Sequence, residues 1–202
     1  MHGRGEAETR KLDFLTTGGE TAARIRAQDW SATPLGPIEG WPSCLRTALG
    51  LVFGSPFPMV LAWGPELTTL HNDAYRPLLG DKPDALGRPF LEVWPEAREI
   101  IAPLLDRAFA GEASRFEDAP FTLLRQGQPA EAFFAFSYSP VRDETGAVMG
   151  VLNLAVETTA RVLAERRQAF RLALEDRLRD LADPDEIIAV ASEALGRHLT
   201  AG

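Results

Sequence analysis

The sequence predicts an α+β domain that follows a helical arm and leads into a long helix. Three observations carry this. Residues 133–159 read FFAFSYSPVRDETGAVMGVLNLAVETT, two apolar strand-like runs around a turn at Asp143-Glu144-Thr145-Gly146. Two shorter strand-like runs, 59–63 and 67–71, precede the helical segments, giving the order β-β-α-(loop)-α-β-β-β. An Arg- and Glu-rich helical pattern begins directly after Thr159. A hairpin joined to a long helix without a flexible linker is a mechanical arrangement: movement in the sheet is felt by the helix.

Composition narrows the function class. A net charge of −8 argues against a nucleic-acid-binding surface, whose footprint is basic. Cys44 is the only cysteine, so the chain can build neither an internal disulfide nor a multi-cysteine metal site. Its position suits a small buried side chain on a helix. The opening MHGRGEAETRKLDFLTTGG lacks the apolar core of a secretory signal. Residues 48–63 are apolar but interrupted by Gly50, Gly54, Ser55, Pro56 and Pro58, well short of the ~20 continuous residues of a spanning helix. They read as a helix followed by a core strand. The expectation is a cytoplasmic chain with no membrane insertion.

Taken in order, residues 1–17 are polar and expected to be frayed. Residues 18–56 form a helical arm: a short helix over 20–28, an irregular Pro- and Gly-rich connection over 33–40, and a second helix opened by Trp41-Pro42-Ser43, with Pro where its missing N–H costs nothing. Leu45, Ala48, Leu49 and Val52 give that helix one buried stripe, and Trp30 and Trp41 anchor the arm. The compact domain is expected over 57–159. Strands at 59–63 and 67–71 form a hairpin, and Asn72 and Asp73 stand where a helix cap belongs, accepting bonds from free backbone N–H groups. Residues 81–95 are loop-rich with one helical turn. An amphipathic helix over 97–110 places Ile100, Ile101, Leu104, Leu105 and Ala108 on its buried side, with Gly111 as its stop. Strands follow at 114–125, 132–139 and 148–157. Over 160–182, Leu163, Phe170, Leu174 and Leu181 are spaced by alternating seven- and four-residue steps, with Arg167 and Arg177 as imperfections. This is either a dimerising coiled-coil seam or a solvated helix packing on its own domain. Asp183-Pro184-Asp185 breaks the helix, and 183–202 begins another amphipathic helix, read as the start of a following domain.

Several segments resemble one known family: DWSATPLGPIEGWP (29–42), SPFPMVLAWGPEL (55–67), HNDAYRPLLGDKP (71–83), FSYSPVRDETG (136–146) and VETTARVLAERR (156–167). Together with the strand order they resemble the PAS domain family, and within it the N-terminal modules of bacterial sensor histidine kinases, over about residues 18–168. Residues 181–199 look like the opening helix of a GAF-type domain. The resemblance implies a five-stranded antiparallel sheet with helices on one face, a ligand cleft between them, and signal transmission through the C-terminal helix. It implies a signalling relay through Glu157, Thr158 and Thr159, a homodimer formed through that helix and through the sheet or arm, and downstream GAF or kinase domains in the same chain.

The chemistry of each cofactor class can be weighed against these residues. A LOV-type flavin adduct needs a reactive cysteine; the nearest stretch, residues 87–92, reads Gly-Arg-Pro-Phe-Leu-Glu, with none. A bilin lacks its cysteine as well. Haem needs an axial ligand, commonly His, and the 97–110 helix has none; His71 suits a surface or hydrogen-bonding role, and His2 and His198 lie in terminal segments. A small organic ligand remains open. Alternation places Phe134, Phe136 and Tyr138 on one face of their strand. With Phe121 and Asn153 these residues could line a pocket or be plain core. Asn153, between Leu152 and Leu154, needs a partner if it points inward: ligand, water or backbone. His71, Asp73 and Ser137 make a hydrolytic triad on paper only, with no supporting spacing. No phosphoacceptor box surrounds His198, so any kinase activity is expected to lie beyond residue 202. The leading expectation is a non-enzymatic sensory and dimerisation module of a two-component signalling protein. The alternatives are a ligand-independent interaction scaffold and, further off, a small hydrolase or isomerase.

Overall fold

The computed structural model describes residues 13–16, 18–125, 127–179 and 181–200. They fall into two compact units, one ending at Glu157 and one beginning at Thr158. The first unit opens with the arm helices α1 (Gly19–Ala27) and α2 (Ser43–Gly54). Strands β1 (Met59–Trp63), β2 (Thr68–His71), β3 (Ser114–Arg125), β4 (Gln128–Arg142) and β5 (Val148–Glu157) make one sheet in the order β2-β1-β5-β4-β3. All neighbouring pairs are antiparallel. Between β2 and β3 run the one-turn helices α3 (Arg76–Leu79) and α4 (Phe90–Val93) and the longer α5 (Arg98–Phe109).

The sheet is coated on both faces. Alternation along β1 sends Val60 and Ala62 toward α3, α4 and α5, and Leu61 and Trp63 toward the arm. On the arm face the buried stripe of α2 is as expected, Leu45, Ala48, Leu49 and Val52. Trp30 and Trp41 meet edge to face at 5.3 Å, both nearly fully buried. Each indole N–H is satisfied, by the carbonyls of Ile25 and Gly36 respectively. Cys44 is half-buried against this cluster.

Four expectations change. Part of the segment expected to be frayed is built: Asp13–Leu15 forms a 3-10 turn, Leu15 is buried, and its carbonyl accepts from Arg26 at 2.7 Å. Phe14 and Leu15 are apolar residues in a polar stretch; Leu15 is buried in the arm cluster and Phe14 half-buried against Trp41, which takes apolar surface out of water. Residues 1–12 and Thr17 lie outside the described residues. Ile100 is 47 % exposed, because α5 buries the stripe Ile101, Leu104, Leu105 and Ala108 and Ile100 stands about a quarter-turn from its centre. β4 is longer than residues 132–139 at both ends. Its added prolines, Pro129 and Pro140, lie where β4 has a neighbour on one side only, since β5 pairs from Phe134 onward and β3 only as far as Tyr138; Pro is tolerated at such edges. The fourth change, at Asp73, belongs to the site below.

In the hairpin turn the Asp143 carboxylate accepts from the Thr145 hydroxyl and from the backbone N–H groups of Thr145 and Ala147, while Gly146 takes a positive φ of 89°. The second unit holds α6 (Thr159–Leu178) and α7 (Pro184–Thr200). The two helices pair through an Arg177–Glu193 ion pair at 3.0 Å and a groove lined by Phe170, Leu174 and Ala194. Part of the expected seam is thus half-buried within this hairpin. Among the described residues no helix is long and apolar enough to cross a membrane, and no cluster of three or more His, Cys, Asp or Glu could hold a metal ion.

Candidate functional site

An aromatic cavity lies between the sheet and the α3–α5 side. Phe134, Phe136 and Tyr138 of β4, Asn153 and Ala155 of β5, and Phe121 and Leu123 of β3 form its floor; Tyr75, Leu78, Phe90, Trp94 and Ile101 close it from above. All five residues expected to line a pocket are therefore brought together. Tyr138 and Asn153 are directly opposite each other in the β4–β5 register. The aromatic rings interlock rather than sandwich: Phe121 stands edge-on to both Phe134 (5.7 Å) and Phe136 (5.6 Å), and Phe136 edge-on to Tyr138 (5.7 Å). The void has a volume of about 50 Å³.

The polar groups of the cavity are few. Asn153 donates through Nδ2 to the Ser137 carbonyl at 3.0 Å, so the partner its burial demands is backbone on that side. Trp94 donates its indole N–H to the Tyr75 hydroxyl at 3.1 Å. Burial pushes both tyrosine hydroxyls well above their ordinary pKa, with the Trp94 bond opposing it at Tyr75 and the nearby Tyr75 adding to it at Tyr138. Both stay protonated at neutral pH. Lys82 sits outside, its ammonium 4.9 Å from the Trp94 ring and 2.7 Å from Glu96.

Sequence reasoning missed the upper wall because Tyr75, Phe90 and Trp94 sit on or beside single helical turns, which show no periodicity. One signal was present: Tyr75 follows the Asn72 cap by three residues. Asn72 is more than that cap. Its Oδ1 accepts from Tyr75 and Met59 N–H, both at 3.1 Å, and its Nδ2 reaches the carbonyls of Val52, Ser55 and Phe57. The side chain ties the end of α2, the start of β1 and the cavity wall to one point.

Asp73 does not cap its own turn. Its carboxylate accepts from the backbone N–H groups of Glu20 (2.8 Å) and Thr21 (2.7 Å) and from the Thr21 hydroxyl, capping α1 from a distance of 52 residues in sequence. Gly19 permits this: it holds a φ of 62°, and a Cβ there would lie 2.1 Å from the Asp73 carboxylate. Burial, the largest single influence on Asp73, raises its pKa, but the Thr21 and Glu20 hydrogen bonds and Arg76 together hold it below the ordinary value.

Of the two roles expected for His71, the structure shows the hydrogen-bonding one: the residue is buried, since its position on β2 is opposite Val60 on the cavity side of the sheet. Its Nδ1 meets the Asn72 carbonyl at 2.9 Å and its Nε2 has no partner. The paper triad is not assembled: Asp73 is committed to α1, and Ser137 alternates to the face opposite Phe136 and Tyr138. Of the relay residues, Glu157 ends β5 opposite Phe134 and pairs with Arg125 at 2.7 Å. The Thr158 carbonyl accepts from Val162 N–H at 3.0 Å, and Thr159 is the first residue of α6. The side chains of His2 and His198 lie outside the described residues.

Residues 58–163, just over half of the chain, match the PAS fold family, and the chain belongs to that family. No curated protein matches it. Among solved structures it is similar to the PAS domain of Bordetella pertussis BvgS, at 22 % identity and TM-score 0.47, covering 63 % of this chain and 97 % of that one. It is also similar to a sensory box sensor histidine kinase from Vibrio cholerae, at 15 % identity and TM-score 0.38, covering 56 % and 88 %. A third is an RNA-binding light-oxygen-voltage receptor, at 19 % identity and TM-score 0.46, covering 74 % of this chain but only 43 % of that receptor's length.

A flavin photoadduct does not fit the cavity of this chain. No cysteine lines it, and Cys44 packs with the arm on the opposite side of the sheet. An axially ligated haem finds no histidine among the lining residues.

Proposed function

We propose that the chain is the sensory module of a cytoplasmic signal-transduction protein of the two-component, histidine-kinase type, and that a small molecule in the aromatic cavity is its stimulus. One observation carries the reading: Phe134, a wall of the cavity, is the β4 residue paired with Glu157, from which the chain enters α6 after a single residue. A guest that moves Phe134 disturbs the end of β5. The disturbance passes through Glu157, Thr158 and Thr159 into α6, and from there to GAF or kinase domains and to a partner subunit paired through the helix. Such a relay requires two arrangements of the helices whose balance the guest shifts.

The narrowness of the cavity, about 50 Å³ against the roughly 300 Å³ or more of ordinary ligand sites, favours a second reading: a ligand-independent scaffold in which the fold holds two subunits together. Native mass spectrometry of the purified protein, followed by thermal-shift screening against small metabolites, separates the two. A co-purifying or stabilising molecule whose effect is lost when the cavity is filled by Ala155→Phe supports sensing. A chain that no small molecule stabilises is a scaffold. Sedimentation tests the partner: a monomer at the highest soluble concentration refutes pairing through α6.

A further inference from the structure

We infer that the guest of the aromatic cavity is a compact, uncharged molecule whose polar end both accepts and donates hydrogen bonds; this rests on the sensing reading above. The lining contains no Asp, Glu, Lys, Arg or His. Its ionisable side chains are Tyr75 and Tyr138, 2 % and 3 % exposed. A carboxylate or ammonium placed there would lose its water without meeting a counter-charge, a penalty of several kcal/mol. Lys82, whose ammonium stands 4.9 Å from the Trp94 ring, is already held by Glu96.

The polar groups that remain define the polar end. Among the described residues the Tyr138 hydroxyl makes no hydrogen bond, and the Tyr75 hydroxyl is used only as an acceptor, from Trp94. Both therefore hold an uncommitted proton. Asn153, 4 % exposed, gives one Nδ2–H to Ser137 and keeps its second N–H and its Oδ1. Two O–H donors, one remaining amide N–H and one amide oxygen call for a guest with an acceptor next to a donor, as in a primary amide, a lactam or a hydroxy-substituted heterocycle. The rest of the wall is Phe, Trp, Leu, Ile and Ala, which suits an apolar or aromatic body.

Size sets the remaining limit. A dry cavity of about 150 Å³ admits benzene, and this one measures about 50 Å³. A single ring therefore enters only if the rim gives way, and the half-buried Phe121, on the edge strand β3, and Leu78 are the side chains free enough to do so. A fused multi-ring guest is excluded.

Three one-ring probes test this at pH 7.5 by ligand-observed NMR titration of the whole chain: benzamide, benzoate and toluene. Benzamide and benzoate share shape and differ in charge. Benzamide is expected to bind at least about tenfold tighter than benzoate, and Tyr138→Phe to weaken benzamide by roughly three- to tenfold, the loss of one buried hydrogen bond, while leaving toluene unchanged. Benzoate binding as tightly as benzamide would overturn the inference while leaving a ligand-sensing cavity standing. So would a Tyr138→Phe protein, shown to melt like the parent, that binds benzamide as before. Failure of all three probes at millimolar concentration overturns the inference, and the sensing reading falls with it only where the metabolite screen also finds no stabilising molecule.

Discussion

On the arm side of the sheet, Trp63 lies so close over Gly150 that an added Cβ would stand 2.7 Å from its ring and 2.9 Å from the Ala62 carbonyl. On the other side, the same β5 strand presents Asn153 to a void of about 50 Å³. The arm face has its indole N–H groups paired and its stripe of Leu, Ala and Val filled. The cavity face keeps unpaired hydroxyl donors and a half-buried Phe121 at its rim. Cores at native density resist change in even one methylene, whereas a face with a void and loose polar ends has room for a second arrangement. The difference is one of room: the arm face is filled around Gly150, and the cavity face is not.

Asn72 is where the two faces are tied, and breaking it should have the largest effect. Asn72→Ala removes bonds to three carbonyls and two N–H groups at a residue 3 % exposed. Several buried polar atoms orphaned at once are expected to cost about 3–5 kcal/mol, read as the shift of the urea unfolding midpoint. A loss under about 1 kcal/mol would mean the faces are not joined there. Gly150→Ala comes next. The close neighbours of its new methyl group include backbone, so the strand must shift, and overpacking of this kind costs about 1–3 kcal/mol. The matching change on the open face, Ala155→Val, should cost less; equal losses would erase the contrast.

How much of this was legible in sequence follows the same division. Strand alternation and the Asp143–Gly146 turn placed β1, β3, β5 and the cavity floor, because a two-residue period directly states which side chains share a face. The capping of α1 by Asp73 was not legible. Asp73 satisfies the local rule for a helix cap, and nothing nearby in the chain reveals that the N–H groups it serves are those of Glu20 and Thr21. The Gly18-Gly19 pair was the available clue, since it marks a backbone something must approach closely. Ile100 was misplaced for a related reason: apolarity marks candidates for burial, and only the position of the sheet decides where the stripe is centred.

The pH dependence supplies a smaller effect. Burial, the largest influence, lowers the His71 pKa; its bond to the Asn72 carbonyl and Asp84 oppose this, while Arg24 and Arg76 add to it. The folded state therefore keeps His71 neutral where the unfolded chain, with a pKa near 6.5, takes up a proton. Stability is full above about pH 6.5 and is lost as pH falls from there through the lowered folded pKa, at most about 1.4 kcal/mol per pH unit from one proton. In His71→Gln the decline between pH 7.5 and 5.5 should flatten. Parallel curves for the two proteins would assign the pH response to other groups. Asp73, also lowered, acts further down, its capping of α1 being lost as pH falls below the ordinary carboxylate range.

The smallest effect tests whether the cavity face is open or is ordinary core. A buried tyrosine hydroxyl that is hydrogen-bonded stabilises a fold by about 1 kcal/mol, whereas one without a partner carries its desolvation cost and returns nothing. Tyr75→Phe removes the acceptor of the Trp94 indole N–H and is expected to lose about 1–2 kcal/mol. Tyr138→Phe removes a hydroxyl with no hydrogen bond among the described residues and is expected to change stability by no more than about 0.5 kcal/mol, or to raise it slightly. The two variants delete the same atom from the same cavity, so cavity size and hydrophobicity cancel in the comparison. Equal losses would mean that Tyr138 is held by the fold as firmly as Tyr75, and the cavity would then be core. A neutral or stabilising Tyr138→Phe beside a destabilising Tyr75→Phe identifies Tyr138 as a group whose partner comes from outside the chain.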